Sequence, residues 1–237
     1  MRRRSGVRAG ANCSLPAVDL TERGASAVRH PWEVQRFEAY RRILADHDAL
    51  TAMNVLDIGA GDGWFSDMLA DELPADASTV CWDVNYDEHD LEPARPGQTR
   101  TRDQPGPGHD LLLLLDVLEH IDDPVAFIRG SLAPITATGT PVLVAVPAYQ
   151  QLFGRHDEAL GHHRRYARHD LLAQIAPWID VVEHGSLFAS LLLPRAAMVV
   201  AERRRQADDE SAHGVGNWTA GPVITALANG VLAADAR

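Results

Sequence analysis

The sequence predicts an α/β fold: a mostly parallel sheet with helices on both faces. Three observations predict it. Short apolar runs recur at residues 54–58, 79–83, 110–116 and 140–147. Each is too short for a core helix and too uniformly apolar for a strand with one wet face, so each reads as a buried parallel strand. Stretches of helical spacing separate the runs, and that alternation means right-handed crossover units. Three glycines, Gly59, Gly61 and Gly63, follow the first run, where a tight strand-to-helix turn needs backbone freedom.

The elements follow in order. Residues 1–29 lack periodicity and read as a disordered tail. Their basic start, M-R-R-R-S-G-V-R, is followed by no apolar stretch, so it is not a signal peptide. Pro31 opens a helix with Val34, Phe37, Tyr40, Ile43 and Leu44 on one face. N-V-L-D-I is the first strand. W-F-S-D-M-L-A-D-E-L is the next helix, stopping before Pro74, and T-V-C-W-D is the second strand. Residues 84–109 are loop-rich, with a weak third strand near 99–102. D-L-L-L-L-L-D is the strongest strand, P-V-A-F-I-R-G-S-L a helix with Pro124 in its first turn, and T-P-V-L-V-A-V-P the fifth strand. A polar, His- and Arg-rich segment runs on to His169. Then come a helix D-L-L-A-Q-I-A and a sixth strand at 179–184. Residues 186–237 form a helical extension. Its apolar stretch 186–205, with a basic end, reads as a packed helix broken at Pro194. The same stretch also suits a membrane surface or an apolar acceptor.

Composition narrows the function. The chain has 237 residues, 46% of them hydrophobic, which is enough for one core with a small appended lid. A net charge of −11 argues against a general nucleic-acid binder. Two cysteines, Cys13 and Cys81, indicate no disulfide framework and fit a reducing cytoplasm. No apolar run reaches the roughly 18–20 residues that span a bilayer.

The glycine turn V-L-D-I-G-A-G-D-G-W-F carries the chemistry. Dinucleotides need G-x-G-x-x-G, the third glycine letting helix and sheet close around a pyrophosphate. Here that position is Trp64. The turn instead follows an acid, Asp57, which suits a cationic ligand. A second acid, Asp83, ends the next strand, at the distance where a carboxylate accepts hydrogen bonds from ribose hydroxyls.

The D-x-G-x-G turn resembles motif I of class I S-adenosylmethionine (SAM)-dependent methyltransferases. D-V-L-E-H at 116–120 resembles their strand-four segment, so the resemblance covers about residues 54–150. It implies a Rossmann-like fold closed by an antiparallel hairpin. The final strand of that hairpin is not evident: it is missing, displaced or beyond the chain's end. The resemblance also implies SAM as cofactor. Asp57, Gly59, Ala60 and Gly61 would hold its methionine part, and Asp83 its ribose. Trp82, Val84 or Asn85 would lie at the adenine, with Asp103 a weaker candidate for the adenine amino group. Asp116, Val117 and Leu118 would line the pocket. H-D-E-A-L-G-H-H-R-R-Y at 156–166 and H-P-W-E at 30–33 resemble a bacterial group of methyltransferases with H-D-x-x-L-G-H-x-R-R-Y.

The acceptor, a small molecule methylated on oxygen or nitrogen, is expected against segment 147–170, which follows the fifth strand. Such an acceptor needs positioning and a general base. His156 and His162 lead the candidates, with Asp157 and His163 also present. The alternative is a structural lid whose Arg164 and Arg165 pair with surface acids. No metal is expected. Asp116, Glu119 and His120 do share a helical face, and with a downstream histidine would make an oxygen-and-nitrogen site, a spacing that resembles the E-x-x-E-H of some metal-assisted methyltransferases. The heavier reading makes Glu119 and His120 pocket wall. Two other functions compete with methyl transfer: an NAD(P)-dependent oxidoreductase, disfavoured by Trp64, and a SAM-binding protein that does not methylate.

Overall fold

The structure is a computed structural model that describes residues 29–204 and 221–236. The expected N-terminal tail, through residue 28, and most of the charged linker after Arg204 lie outside the described residues. Five strands form one sheet: β1 (Asn54–Ile58), β2 (Ser78–Trp82), β3 (Gln98–Thr101), β4 (Leu111–Leu115) and β5 (Val142–Ala145). Their order is β3-β2-β1-β4-β5, and every neighbouring pair is parallel. The order reverses between β1 and β4. The loops leaving these two strands therefore diverge, and a crevice opens at their carboxyl ends.

The leucine run explains the layering. Side chains alternate across a strand, so Leu111, Leu113 and Leu115 face one way and Leu112 and Leu114 the other. The first set packs with Phe37 and Leu44 of α1 (Pro31–Asp46) and with Phe65 and Leu69 of α2 (Trp64–Ala70). The second set packs with Phe127 of α3 (Pro124–Phe127), with Ile128 and Leu132 of the π-helical turn that continues it, and with Ile175 of α5 (Arg168–Ile175). All five leucines are buried. At about 1.5–3 kcal/mol for each buried leucine side chain, β4 is the best-anchored strand of the sheet.

The C-terminal third departs from expectation. Residues 179–184 form no strand. They have no regular structure, Val182 standing 82% exposed. The V-V pair has strand propensity, but no apolar layer covers it, and burial decides such segments more than propensity does. β5 ends the order, and no seventh strand occurs among the described residues, so the observed sheet is wholly parallel. Pro194 breaks nothing. After a 3-10 turn at Ala189–Leu191, α6 (Leu192–Arg204) carries Pro194 in its first turn, where its missing N–H is no loss. α4 (Arg155–Ala159) lies in the segment after β5, and α7 (Pro222–Asp235) packs on α1, Gln35 donating to Asn229 at 3.3 Å. Among the described residues no helix is long and apolar enough to cross a membrane.

Candidate active site

The glycine turn builds the floor of the crevice. Gly59, Gly61 and Gly63 all hold positive φ, at 67°, 54° and 79°. Gly59 N–H donates to the Trp82 carbonyl at 2.7 Å, tying the turn to the end of β2. A Cβ on Gly59 would stand 2.6 Å from Val117 Cγ2, so only glycine fits between β1 and the loop after β4. Asp57 is buried behind the turn and accepts a hydrogen bond from Ser66 Oγ at 2.7 Å. Burial pushes its carboxyl up to about 7. The Ser66 hydroxyl offsets this in part, and the neighbouring acids Asp83 and Asp62 add to it. Asp83, also buried, accepts the Gly61 N–H at 3.1 Å and the Asn85 N–H at 2.9 Å. It thus caps the turn that it was expected to serve beside.

Asp57, Gly59, Ala60, Gly61 and Asp116 line one cleft of about 2280 Å³. Val117 is buried beneath Gly59, and Val84 is half-buried against the core of the α3 face. Trp82 turns its indole N–H to the Arg102 carbonyl at 3.2 Å, and Asp103 is exposed beyond β3. Asp116 adopts φ 54°, a conformation that L-residues rarely take and that active sites often store. Its carboxylate pairs with Arg36 of α1. Arg36 in turn lies 4.4 Å over the Trp32 ring.

α1 closes one wall, and its start explains H-P-W-E. His30 Nδ1 accepts the Trp32 N–H, Glu33 accepts the His30 N–H, and Pro31 takes the first helical position, which makes a complete capping box. Trp64, which displaces the third dinucleotide glycine, packs edge-on against Phe37 at 6.0 Å and beneath Arg29 at 5.0 Å. Sequence reasoning missed Arg36 and Ser66. The i,i+4 spacing of Trp32 and Arg36 is the one local signal for the first.

The segment after β5 forms the opposite wall. It leaves at Pro147 and returns at Tyr166, which bridges Ala148 and exchanges hydrogen bonds with Tyr149 and Pro147 at 2.9 Å each. Tyr166 is core: its hydroxyl donates to the Leu118 carbonyl at 3.0 Å. Tyr149 is exposed. His163 N–H donates to the Glu119 carbonyl at 2.8 Å, which locks this return against D-V-L-E-H. The rings of His120 and His162 therefore meet edge to face, 4.6 Å apart at 88°.

Asp157 organises this wall. Fully buried, it receives His162 Nδ1 at 3.2 Å, Arg165 at 2.7 Å, Arg195 of α6 at 2.6 Å and the Gly154 N–H at 2.9 Å. Burial alone would raise its carboxyl, but the hydrogen bonds from His162 and Arg165 outweigh burial and hold it well below the usual carboxylate range. The expected pairing of Arg164 and Arg165 with surface acids is corrected here. Arg165 reaches the buried Asp157, and Arg164 donates to the Asp122 carbonyl at 2.8 Å. Burial and the Arg195 charge lower His156. Burial, with the charge of His162 second, lowers His120 to about 4. His156 and His162 line the same cleft as Asp57 and the glycines. The two residue clusters singled out in the sequence, some 100 positions apart, thus face one space, acids on one wall and imidazoles on the other.

Comparison with known proteins identifies the family and the fold. A family model described as a methyltransferase domain matches residues 32–196, more than two thirds of the chain. The fold is similar to that of the N-methyltransferase NodS from Bradyrhizobium japonicum WM9, solved with S-adenosyl-L-homocysteine, at 17% identity and a TM-score of 0.51 over 69% of this chain and 86% of that one. It is also similar to a putative sarcosine dimethylglycine methyltransferase from Galdieria sulphuraria, at 13% identity and a TM-score of 0.54 over 84% and 78%. No curated protein matches the chain. The family model's span takes in both walls of the cleft and the sheet between them: the chain belongs to the methyltransferase-domain family, among the class I SAM-dependent methyltransferases.

Proposed function

We propose that the cleft holds SAM over the glycine turn and transfers its methyl group to the oxygen or nitrogen of a small molecule seated against segment 147–170. The observation that carries this is the pair of buried carboxyls, Asp57 and Asp83, on either side of a turn that has Trp64 where a diphosphate site needs glycine. A buried carboxyl held near neutrality gains most from a cationic ligand, because the ligand supplies the missing counter-charge. Asp57 with the Gly59, Ala60 and Gly61 backbone would take the ammonium end. Asp83 would accept from the ribose, Val84 would lie at the adenine, and Asp116 and Val117 would shape the floor between. When bound, SAM supplies the methyl electrophile.

The chain's own residues do the remainder. α1, pinned by the Arg36–Asp116 pair, walls the crevice from water. The locked return at His163–Tyr166 fixes the acceptor wall, and such fixed geometry is the main source of rate in a displacement of this kind. His156, kept neutral by burial and Arg195, and His162, aimed by Asp157, are the two groups placed to take the acceptor's proton. The net charge of −11 fits a small-molecule acceptor better than a nucleic acid. Cys81, a buried free thiol, fits the cytoplasm.

Calorimetry with SAM and with NAD+ tests the cofactor. SAM should bind and NAD+ should not, and Asp83→Ala should weaken SAM by roughly 1–3 kcal/mol. Equal affinity in the variant would remove the ribose assignment, and preferential NAD+ binding would remove the cofactor. Transfer of label from SAM into a pool of candidate acceptors then separates a methyltransferase from a protein that only binds SAM.

A further inference from the structure

We propose that Glu119, His120 and His162 bind a divalent transition-metal ion of the Zn²⁺ type in the acceptor wall. This goes beyond the functional reading and needs no cofactor. Each of the three residues offers one ligand atom, and these atoms all lie within 4.8 Å of one another. Glu119 and His120 are buried, at 0% and 8% exposure, and the His162 side chain is 9% exposed.

Three further observations point at an ion rather than at a chance cluster. His120 Nδ1 is buried and has no hydrogen-bond partner among the described residues, an arrangement that costs stability unless something accepts that lone pair. His162 has its Nδ1 on Asp157, which fixes the tautomer and leaves Nε2 free. A carboxylate on the far nitrogen of an imidazole is the usual support of a metal ligand. The two chain segments are already joined by His163 N–H to the Glu119 carbonyl at 2.8 Å and by the Tyr166 hydroxyl to the Leu118 carbonyl at 3.0 Å, so little ordering is left for the ion to impose.

The donor set selects the metal. The spacing of Asp116, Glu119 and His120, with a downstream histidine, suggested a mixed oxygen-and-nitrogen site, but the Asp116 carboxylate turns to Arg36. What remains is two imidazoles and one carboxylate, which favours Zn²⁺, Fe²⁺, Mn²⁺ or Co²⁺ over Mg²⁺. Metal–ligand bonds of about 2.0–2.2 Å require the three atoms to draw in by about 1 Å. All three residues line the cleft, so the open coordination positions face the acceptor space, where a bound ion would polarise an acceptor hydroxyl or amine. His162 then serves as ligand, and His156 remains as the base.

The test uses the full chain without a tag, stripped with chelator and titrated with Zn²⁺ by calorimetry. One equivalent should bind tightly. His120→Ala and His162→Ala, confirmed as folded by circular dichroism, should weaken Zn²⁺ by about 100-fold or more, while His163→Ala, which removes an exposed neighbouring ring, should not. X-ray absorption of the Zn²⁺-loaded wild type needs no variant and should show two imidazole ligands. Absence of a stoichiometric equivalent, unchanged affinity in both variants, or a spectrum with fewer than two imidazoles would overturn the site. SAM affinity, measured in the same preparations, reports separately on the functional reading.

Discussion

Asp57 is the residue on which the cofactor's charge should be felt. Its carboxyl stands near 7 in the folded protein against 3.8 ordinarily. The linkage has a definite sign. Below about pH 4 folded and unfolded forms both hold the proton, and between the two values only the folded form does. Above about 7 the folded protein must bury the charge. The advantage is therefore present at low pH and is lost as pH rises through 7. Without cofactor, Asp57→Asn should be the more stable protein at pH 8, by about 2–4 kcal/mol, and should match wild type near pH 4. Thermal melts across pH read this directly, and a constant gap would refute it. A cationic ligand selects the ionised form, so wild-type SAM affinity should fall roughly tenfold for each pH unit below 7, while Asp57→Asn binds weakly with no such slope. The acids and glycines were legible in the sequence because each stands within a few positions of a strand end. Ser66 and Arg36 were not, because their roles exist only once Asp57 and Asp116 have been brought to them.

Gly59 shows how elements constrain one another at the turn. Its φ of 67° strains any L-residue, and Val117 fills the space a Cβ would need. Gly59→Ala should destabilise the protein by about 1–3 kcal/mol and reduce SAM affinity. Adding Val117→Ala should restore part of the loss by removing the steric conflict, leaving the strain in φ. Denaturant unfolding of the single and double variants separates the two contributions, and no recovery in the double variant would show that the contact is not limiting. Elements buried on both faces were legible for the same reason that the turn is tight: β1, β2 and β4 sit inside the sheet, so their apolar runs have one interpretation. The sixth strand failed because a V-V pair declares propensity and not a partner. The unbroken start of α6 was misread because Pro194 has opposite effects in a helix's first turn and in its interior, and the sequence does not mark where that turn begins.

At the scale of the molecule, Asp157 joins what the chain order separates. It lies in α4, aims His162, and holds Arg165 and Arg195, the last from α6. Arg155 N–H donates to Glu202 at 3.2 Å, and Arg195 and Arg203 donate to the Leu152 and Gln151 carbonyls at 3.3 and 3.1 Å, so α6 is tied to the wall after β5 at several points. α6 thereby acts on the wall after β5 and not on the glycine turn. The apolar side of α6 offers less: Leu193 is 81% exposed and Met198 54%, so the ionic tie carries much of the docking. Asp157→Ala leaves two arginines together, nearly buried and without their counter-charge, which typically costs about 3–5 kcal/mol. The loss should be local before it is global. α6 should become the first segment cut by trypsin, at Arg195, Arg203 or Arg204, while the sheet, held by the leucines of β4, survives longer. Arg195→Ala should release α6 with a smaller loss of overall stability, because Asp157 keeps Arg165 and His162 as partners. If both variants resist trypsin at α6 as wild type does, the apolar packing of Val199 and its neighbours holds the helix, and Asp157 serves Arg165 and His162.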